Sequence, residues 1–316
     1  ARIDLRHKSI LVIKLGALGD FVQALGPMAA IRAFHKSERI VLLTRRQFFE
    51  FAEMSGNADE VWLDPRPKLI NVEKWLALRR SIRKAGFKRI YDLQTSVRSS
   101  LYYRLFFPDK PPEWSGIVQG CSHPHDNPER DSMHTIERQS DQMIRAGVQM
   151  RGFEDIPKIN LSWASADISA FHLPSSFVLL VPGGAQHRPA KRWPCDNYKS
   201  LAAKLLVWDR TPVLLGGAEE TALTAAIAGA VPGTIDLAGR TDLLQLAELG
   251  RRAESAVGND TGPMHLIAAV GCKSVVLYSH QSDPALCGQR GRDVTILRPP
   301  NLASLSTGDV FNALVG

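Results

Sequence analysis

The 316 residues contain no apolar run approaching the ~20 that a membrane-spanning helix needs. Cysteine is scarce. Cys121, Cys195, Cys272 and Cys287 are scattered without C-x-x-C spacing, which argues against a disulfide framework or a zinc site and for the reduced thiols of a cytoplasmic protein. The opening Ala1-Arg2-Ile3-Asp4-Leu5-Arg6 is too polar for a secretory signal. No Asp-x-Asp pair occurs. G-x-G-x-x-G is absent too, and Leu43 is followed by Thr44-Arg45-Arg46 where a dinucleotide fold would place an acid, so a dehydrogenase is disfavoured. His123, His125, Asp126 and His134 are too irregularly spaced for a metal set and read better as solvated or packing side chains.

The net charge of +7 lies wholly in one half. Residues 1–150 carry 24 Lys+Arg against 17 Asp+Glu, whereas residues 151–316 carry 15 of each. The N-terminal half therefore suits something acidic, either a phosphorylated or carboxylated substrate or an anionic membrane face, with a solvated basic surface as the plainer alternative. Nucleic acid is not an expected partner, because no aromatic-interleaved basic strand or recognition-helix motif is present.

Strand-like runs alternate with helical stretches. Ser9–Ile13, Arg39–Leu43, Glu60–Leu63 and Arg89–Leu93 predict strands in the first half, separated by helical Phe21–Phe34, Gln47–Met54 and the basic Lys74–Ala85. Residues 108–132, rich in Pro and Gly, read as a long loop, followed by a helix over Thr135–Gly147. Residues 157–176 read as a linker. The alternation restarts at Phe177–Val181 and continues through Pro212–Leu215, Thr234–Leu237, Ala256-Val257 and Ser274–Tyr278. This order predicts two α/β domains, 1–160 and 161–316, each with a parallel sheet whose ligands sit at the carboxyl ends of the strands.

Four strand ends carry the chemistry. Lys14-Leu15-Gly16-Ala17-Leu18-Gly19-Asp20 puts a carboxylate in the first turn of a helix. There it is either held by the helix dipole or serves as a general base. Val181-Pro182-Gly183-Gly184 followed by Arg188 and Lys191-Arg192-Trp193-Pro194 suits a diphosphate clamp or a solvated surface loop. Gly216-Gly217-Ala218-Glu219-Glu220 offers a carboxylate to two ribose hydroxyls or merely an acidic first turn. Gly258-Asn259-Asp260-Thr261-Gly262-Pro263-Met264-His265 aims the N–H groups of a helix start at one spot, with an aspartate beside it; an ordinary N-cap would look the same.

Taken in order, Ile10 to Pro27, Asp92-Leu93-Gln94 with Arg98-Ser99, His134 with its helix, Pro182 to Pro194, Gly216 to Glu219, Asp236-Leu237-Ala238-Gly239, and Asn259 to Asp283-Pro284 span nearly the whole chain. Together they resemble the ADP-heptose:lipopolysaccharide heptosyltransferases, glycosyltransferase family 9. The resemblance implies a GT-B fold of two Rossmann-like domains facing across a cleft. The acceptor would bind in 1–160 and the donor in 161–316, with a last helix (Asp309–Val315) that often returns to the first domain. It implies Asp20 as catalytic base, Lys191 at the donor phosphates, Glu219 at the ribose, Asp260 at the donor sugar, Thr261 and Gly262 as backbone donors, and His265 in the same motif. Arg188, Arg192, Gly183 and Gly184 join the donor side, and Gly19, Arg98 and Arg104 the acceptor side. Gln23 stands where many members have His, Phe21 replaces a smaller aliphatic residue, and 108–132 matches nothing alignable; these departures bear on the acceptor. The implied activity is metal-independent inverting transfer, in cytoplasm or at the inner membrane face, from ADP-heptose to an acidic lipopolysaccharide-core acceptor. No cofactor is implied, and without Asp-x-Asp the metal-dependent GT-A reading loses its sequence support. Another GT-B nucleotide-sugar enzyme, an epimerase included, and a catalytically silent nucleotide-sugar-binding protein remain open.

Overall fold

The computed structural model describes residues 9–68, 70–148, 158–184 and 188–316. The chain divides into two compact units, Ala1–Asn160 and Leu161–Gly316. The first runs β1 (Ser9–Ile13), α1 (Leu18–Gln23), α2 (Leu25–Phe34), β2 (Arg39–Thr44), α3 (Phe49–Met54), β3 (Glu60–Leu63), α4 (Val72–Ala85), β4 (Phe87–Asp92), α5 (Val97–Tyr103), β5 (Glu113–Gly116), β6 (His123–Pro124) and α6 (Thr135–Arg145). Its strands form one parallel sheet, ordered β3-β2-β1-β4-β5-β6. The second runs β7 (Phe177–Val181), α7 (Cys195–Val207), β8 (Thr211–Leu214), α8 (Thr221–Ala230), β9 (Ile235–Asp236), α9 (Leu243–Arg252), β10 (Ser255–Asn259), α10 (Gly262–Ala269), β11 (Lys273–Leu277), α11 (Pro284–Cys287), β12 (Val294–Leu297) and α12 (Thr307–Val315). Its sheet, ordered β12-β11-β10-β7-β8-β9, has the same doubly wound topology.

The central strands are legible because helices cover both faces of such a sheet, so every position must be apolar. Ile10, Leu11, Val12 and Ile13 are at most 2% exposed, and Val178, Leu179 and Leu180 are fully buried. Each such side chain contributes about 1.5–3 kcal/mol on burial.

Several expectations need correction. Phe21–Phe34 is two helices, because Pro27 has no N–H to donate to the Gln23 carbonyl one turn back. Residues 108–132 are not one loop. They supply β5 and β6, whose proline-bearing outer strand is tolerated because it lies at the sheet edge. The described part of the expected linker, 158–176, packs on the second unit: Leu161, Ala164 and Ile168 are buried, and Arg251 Nη2 donates to the Leu161 and Ala164 carbonyls, both at 3.0 Å. Strand β12 went unpredicted although Val294-Thr295-Ile296-Leu297 is β-rich. The last helix buries Val310 and Leu314, one turn apart, in the second unit's core with Trp193, Val275 and Leu277.

Helix α4 is capped by Asn71, which accepts from Lys74 N–H, and by left-handed Gly86. It seats Leu78 and Ile82 on the sheet, and its Arg79 donates to the carbonyls of Leu105 and Phe107.

Candidate functional site

In a doubly wound sheet the first and fourth strands lie side by side while their crossovers lead to opposite sides, which opens a crevice at their carboxyl ends. In the first unit these strands are β1 and β4; in the second they are β7 and β10. A pocket lies at each.

The pocket of the second unit measures about 380 Å³ and is lined by Gly183, Gly184, Gly217, Glu219, Asp260 and Thr261, among others. Asp260 leaves β10 and forms an ion pair with Lys191 (Oδ2–Nζ 3.1 Å) in which the two side chains are only 10% and 15% exposed. Burial pushes the Asp260 carboxyl up, but the Lys191 charge and hydrogen bonds from Lys191, Ser282 and Tyr278 outweigh it and hold the group below the usual carboxylate range. Helix α10 starts at Thr261, whose hydroxyl donates to the Asn259 carbonyl and so leaves the helix's first N–H groups without a side-chain cap. Gly183, Gly184, Asp260, Thr261 and Gly262 are thus brought together as expected residues of one pocket.

Glu219 and Glu220 both line the pocket but differ in their bonding. Glu220 Oε2 accepts from Gly217 N–H at 2.8 Å, and its Cγ occupies the space that a side chain at Gly183 would need, 2.7 Å from an ideal Cβ. Glu219 is the exposed one of the two. Arg192 Nη2 donates to the Gly184 carbonyl at 2.6 Å and so braces the loop. Arg188 is exposed and follows 185–187, which lie outside the described residues with the expected Ala185-Gln186-His187 turn. His265 does not line the pocket; it is buried on α10 one turn past the helix start, where the helical rotation carries it away.

Asn259 was not assigned from sequence, yet it organises the site. Its Oδ1 accepts from Trp193 N–H (3.0 Å) and the Tyr198 hydroxyl (3.2 Å), and its Nδ2 donates to the Pro182 and Gly183 carbonyls (2.8 and 2.9 Å). The side chain is fully buried and joins β10 to both arms of the loop that carries Lys191. Asn259→Leu orphans several buried groups at once and is expected to destabilise the protein by about 3 kcal/mol. Urea unfolding measures this directly, and a loss under ~1 kcal/mol would show that other contacts hold the loop.

The first unit's pocket is smaller, about 60 Å³, and is lined by Lys14, Asp20, Gln94, His125, Arg130 and Arg138, among others. Two crossed bonds tie the ends of β1 and β4: Lys14 Nζ donates to the Leu93 carbonyl (3.1 Å) and Leu15 N–H to Gln94 Oε1 (2.8 Å). Asp20 Oδ2 accepts from Ala17 N–H (3.2 Å) in the first helical turn, and Asp20 is among the residues that line the pocket. Burial lowers the Lys14 ammonium to about 8, opposed by the carboxylates of Asp20 and Asp92, so it stays charged at neutral pH beside Asp20. Burial raises buried Asp92 to about 6 against hydrogen bonds from Ser99, Thr95 and Gln94.

Neither Arg98 nor Arg104 lines this pocket. Arg98 Nη2 donates to the Pro67 carbonyl (2.9 Å), and Arg104 is exposed at the far end of α5. Gly19 is buried on α1 and is not part of the lining. The cations that do line it are Lys14, Arg130 and Arg138. Lys14 could have been found as the cation ending an apolar strand, and Arg138 as the residue one turn after His134; nothing in the sequence marked Arg130. The departing Phe21 stacks on Phe48 (ring centroids 4.7 Å apart) in the core. His134 Nδ1 accepts from Ile136 N–H and caps α6, and Asp126 pairs with Arg145. Among the described residues no group of three or more His, Cys, Asp or Glu is placed to hold a metal ion, and no helix is long and apolar enough to cross a membrane.

The family model described as Glycosyltransferase family 9 (heptosyltransferase) matches residues 75–307. The Lipopolysaccharide heptosyltransferase 2 of Salmonella typhimurium is 30% identical over 224 residues, covering 65% of this chain and 63% of that protein, so this chain spans less than two thirds of that relative. The structure of E. coli ADP-heptose lipopolysaccharide heptosyltransferase II has a similar fold, with a TM-score of 0.79, 22% identity and 97% of each chain covered. So does E. coli heptosyltransferase WaaC with ADP, at a TM-score of 0.75 and 17% identity over 96% of this chain and 98% of that one.

Proposed function

The chain belongs to glycosyltransferase family 9, and from that premise we propose that it moves a heptose-like sugar from ADP-heptose to an acidic lipopolysaccharide-core acceptor, with inversion and without a metal ion. The second unit takes the donor and the first the acceptor. The observation that carries this reading is Asp260, which lines the pocket together with exposed Glu219 and the start of α10 and pairs with the part-buried Lys191 beside it. A cation and free N–H groups suit a diphosphate, and two carboxylates suit sugar hydroxyls. WaaC is a structural neighbour that holds ADP.

In the reaction, Asp20 takes the proton from the acceptor hydroxyl as its oxygen bonds to the anomeric carbon. The bond from that carbon to the diphosphate oxygen breaks, and the electron pair leaves with the nucleoside diphosphate. Lys191 and the α10 N-terminus stabilise that developing charge, the work a divalent ion does in other transferases. Glu219 accepts from the ribose hydroxyls and Asp260 from the sugar. Exposed Lys74, Arg80 and Lys84 on α4 suit a peripheral contact with an anionic bilayer that presents the acceptor.

Thermal unfolding with ADP-, UDP- and GDP-sugars tests the donor. ADP-heptose at 100 times its Kd should add ~2.7 kcal/mol of stability. Stabilisation by a UDP-sugar alone would refute the donor assignment. Binding of ADP-heptose without transfer to a lipopolysaccharide-core oligosaccharide would favour a silent binding protein.

A further inference from the structure

Three side-chain atoms that are buried without a hydrogen-bond partner, His125 Nδ1, Arg130 Nε and Gln139 Oε1, belong to residues lining the small pocket of the first unit described above. Buried polar atoms are nearly always satisfied, so three around one cavity mark a place where a polar ligand completes the bonding. The cavity, about 60 Å³, is polar and roomy enough for a small polar group.

His125 is held in one state. Its Nε2 lies 2.9 Å from Asp141 Oδ2, which also accepts from Asn127 Nδ2 (3.0 Å) and Arg145 Nε (3.0 Å). Burial pushes the Asp141 carboxyl up, but these donors outweigh it and hold the group below the usual range, so it is ionised and only accepts. Nε2 therefore carries the hydrogen. Burial lowers the ring's own pKa against the pull of Asp141, which keeps it neutral, so Nδ1 presents a bare lone pair. Such a ring accepts from a hydroxyl and rejects another acceptor. Arg130 turns Nη1 to Asp131 (2.7 Å), while its buried Nε has no partner, and the residue lines the pocket with Lys14 and Arg138.

We propose that His125, backed by Asp141, selects the acceptor by accepting a hydrogen bond from one of its hydroxyls, while Arg130 takes a carboxylate or phosphate of the same molecule. The proposal rests on the first unit being the acceptor side. It assigns acceptor specificity to the 108–132 segment, which supplies both side chains. His125 and Arg130 are specificity residues here, and the proton still goes to Asp20.

The test is steady-state transfer from ADP-heptose to a de-acylated lipopolysaccharide-core oligosaccharide, with calorimetry of that oligosaccharide in the absence of donor. His125→Phe should raise the acceptor KM and weaken acceptor binding about ten-fold, the worth of one hydrogen bond, with kcat and ADP affinity nearly unchanged. His125→Asn, which restores an acceptor near the Nδ1 position, should recover most of that loss. Should His125→Phe fail to fold, Asp141→Asn, which frees the ring tautomer, should raise the acceptor KM in the same direction. Unchanged acceptor affinity in a folded His125→Phe, or equal losses for Phe and Asn, would overturn the assignment. Absence of transfer by the unsubstituted protein would instead count against the proposed function, and the calorimetry would still decide the role of His125.

Discussion

Asp20→Asn is expected to lower kcat by about 10²–10⁴-fold while ADP-heptose affinity stays within about two-fold. The amide keeps the size of the side chain, and its carbonyl can still accept from Ala17 N–H at the start of α1. What it loses is the capacity to take a proton. Stopped-flow product formation with saturating donor separates this step from binding. Asp20→Ala should show the same kinetic loss plus about 1 kcal/mol of destabilisation from the missing cap contact. Full turnover by the Asn variant would end the base assignment.

Lys191→Met should cost about 10²–10³-fold in kcat, because the departing diphosphate loses its charge partner in a site where water screens poorly. It also strands Asp260, a carboxylate only 10% exposed whose balancing cation is Lys191. Removing one member of a buried pair is strongly destabilising, by about 3–5 kcal/mol. Lys191→Met combined with Asp260→Asn should therefore regain much of the stability and none of the turnover. That divergence, measured by unfolding and by transfer rates on the same samples, distinguishes a catalytic cation from a structural one. Near-normal turnover in Lys191→Met would show that Lys191 serves only to balance Asp260.

The central strands were legible because the chemistry of their position leaves one solution. A strand covered on both faces is apolar throughout, as Ile10–Ile13 and Phe177–Val181 are. Very short strands carry no such mark. Glu113-Trp114-Ser115 pairs with β4 over three residues between prolines, and it reads as loop until β4 is there to accept it. The split between Glu219 and Glu220 was equally closed to pattern reading. The two residues are the same acid one position apart, and the turn alone decides which reaches back to Gly217.

The sequence by itself determined the two doubly wound units and the strand ends at which chemistry gathers, because hydrophobic periodicity and glycine-rich turns are local properties of the chain. It also singled out Asp20, Lys191 and Asp260, each beside such a turn. Only the tertiary structure decided which cations share a pocket with Asp20. Lys14 comes from the end of β1, Arg130 from an irregular turn and Arg138 from α6, more than a hundred residues further on, and they meet because β1 and β4 are neighbours at the switch point of the sheet. Convergence of that kind has no local signature: it follows from strand order, which long-range packing sets.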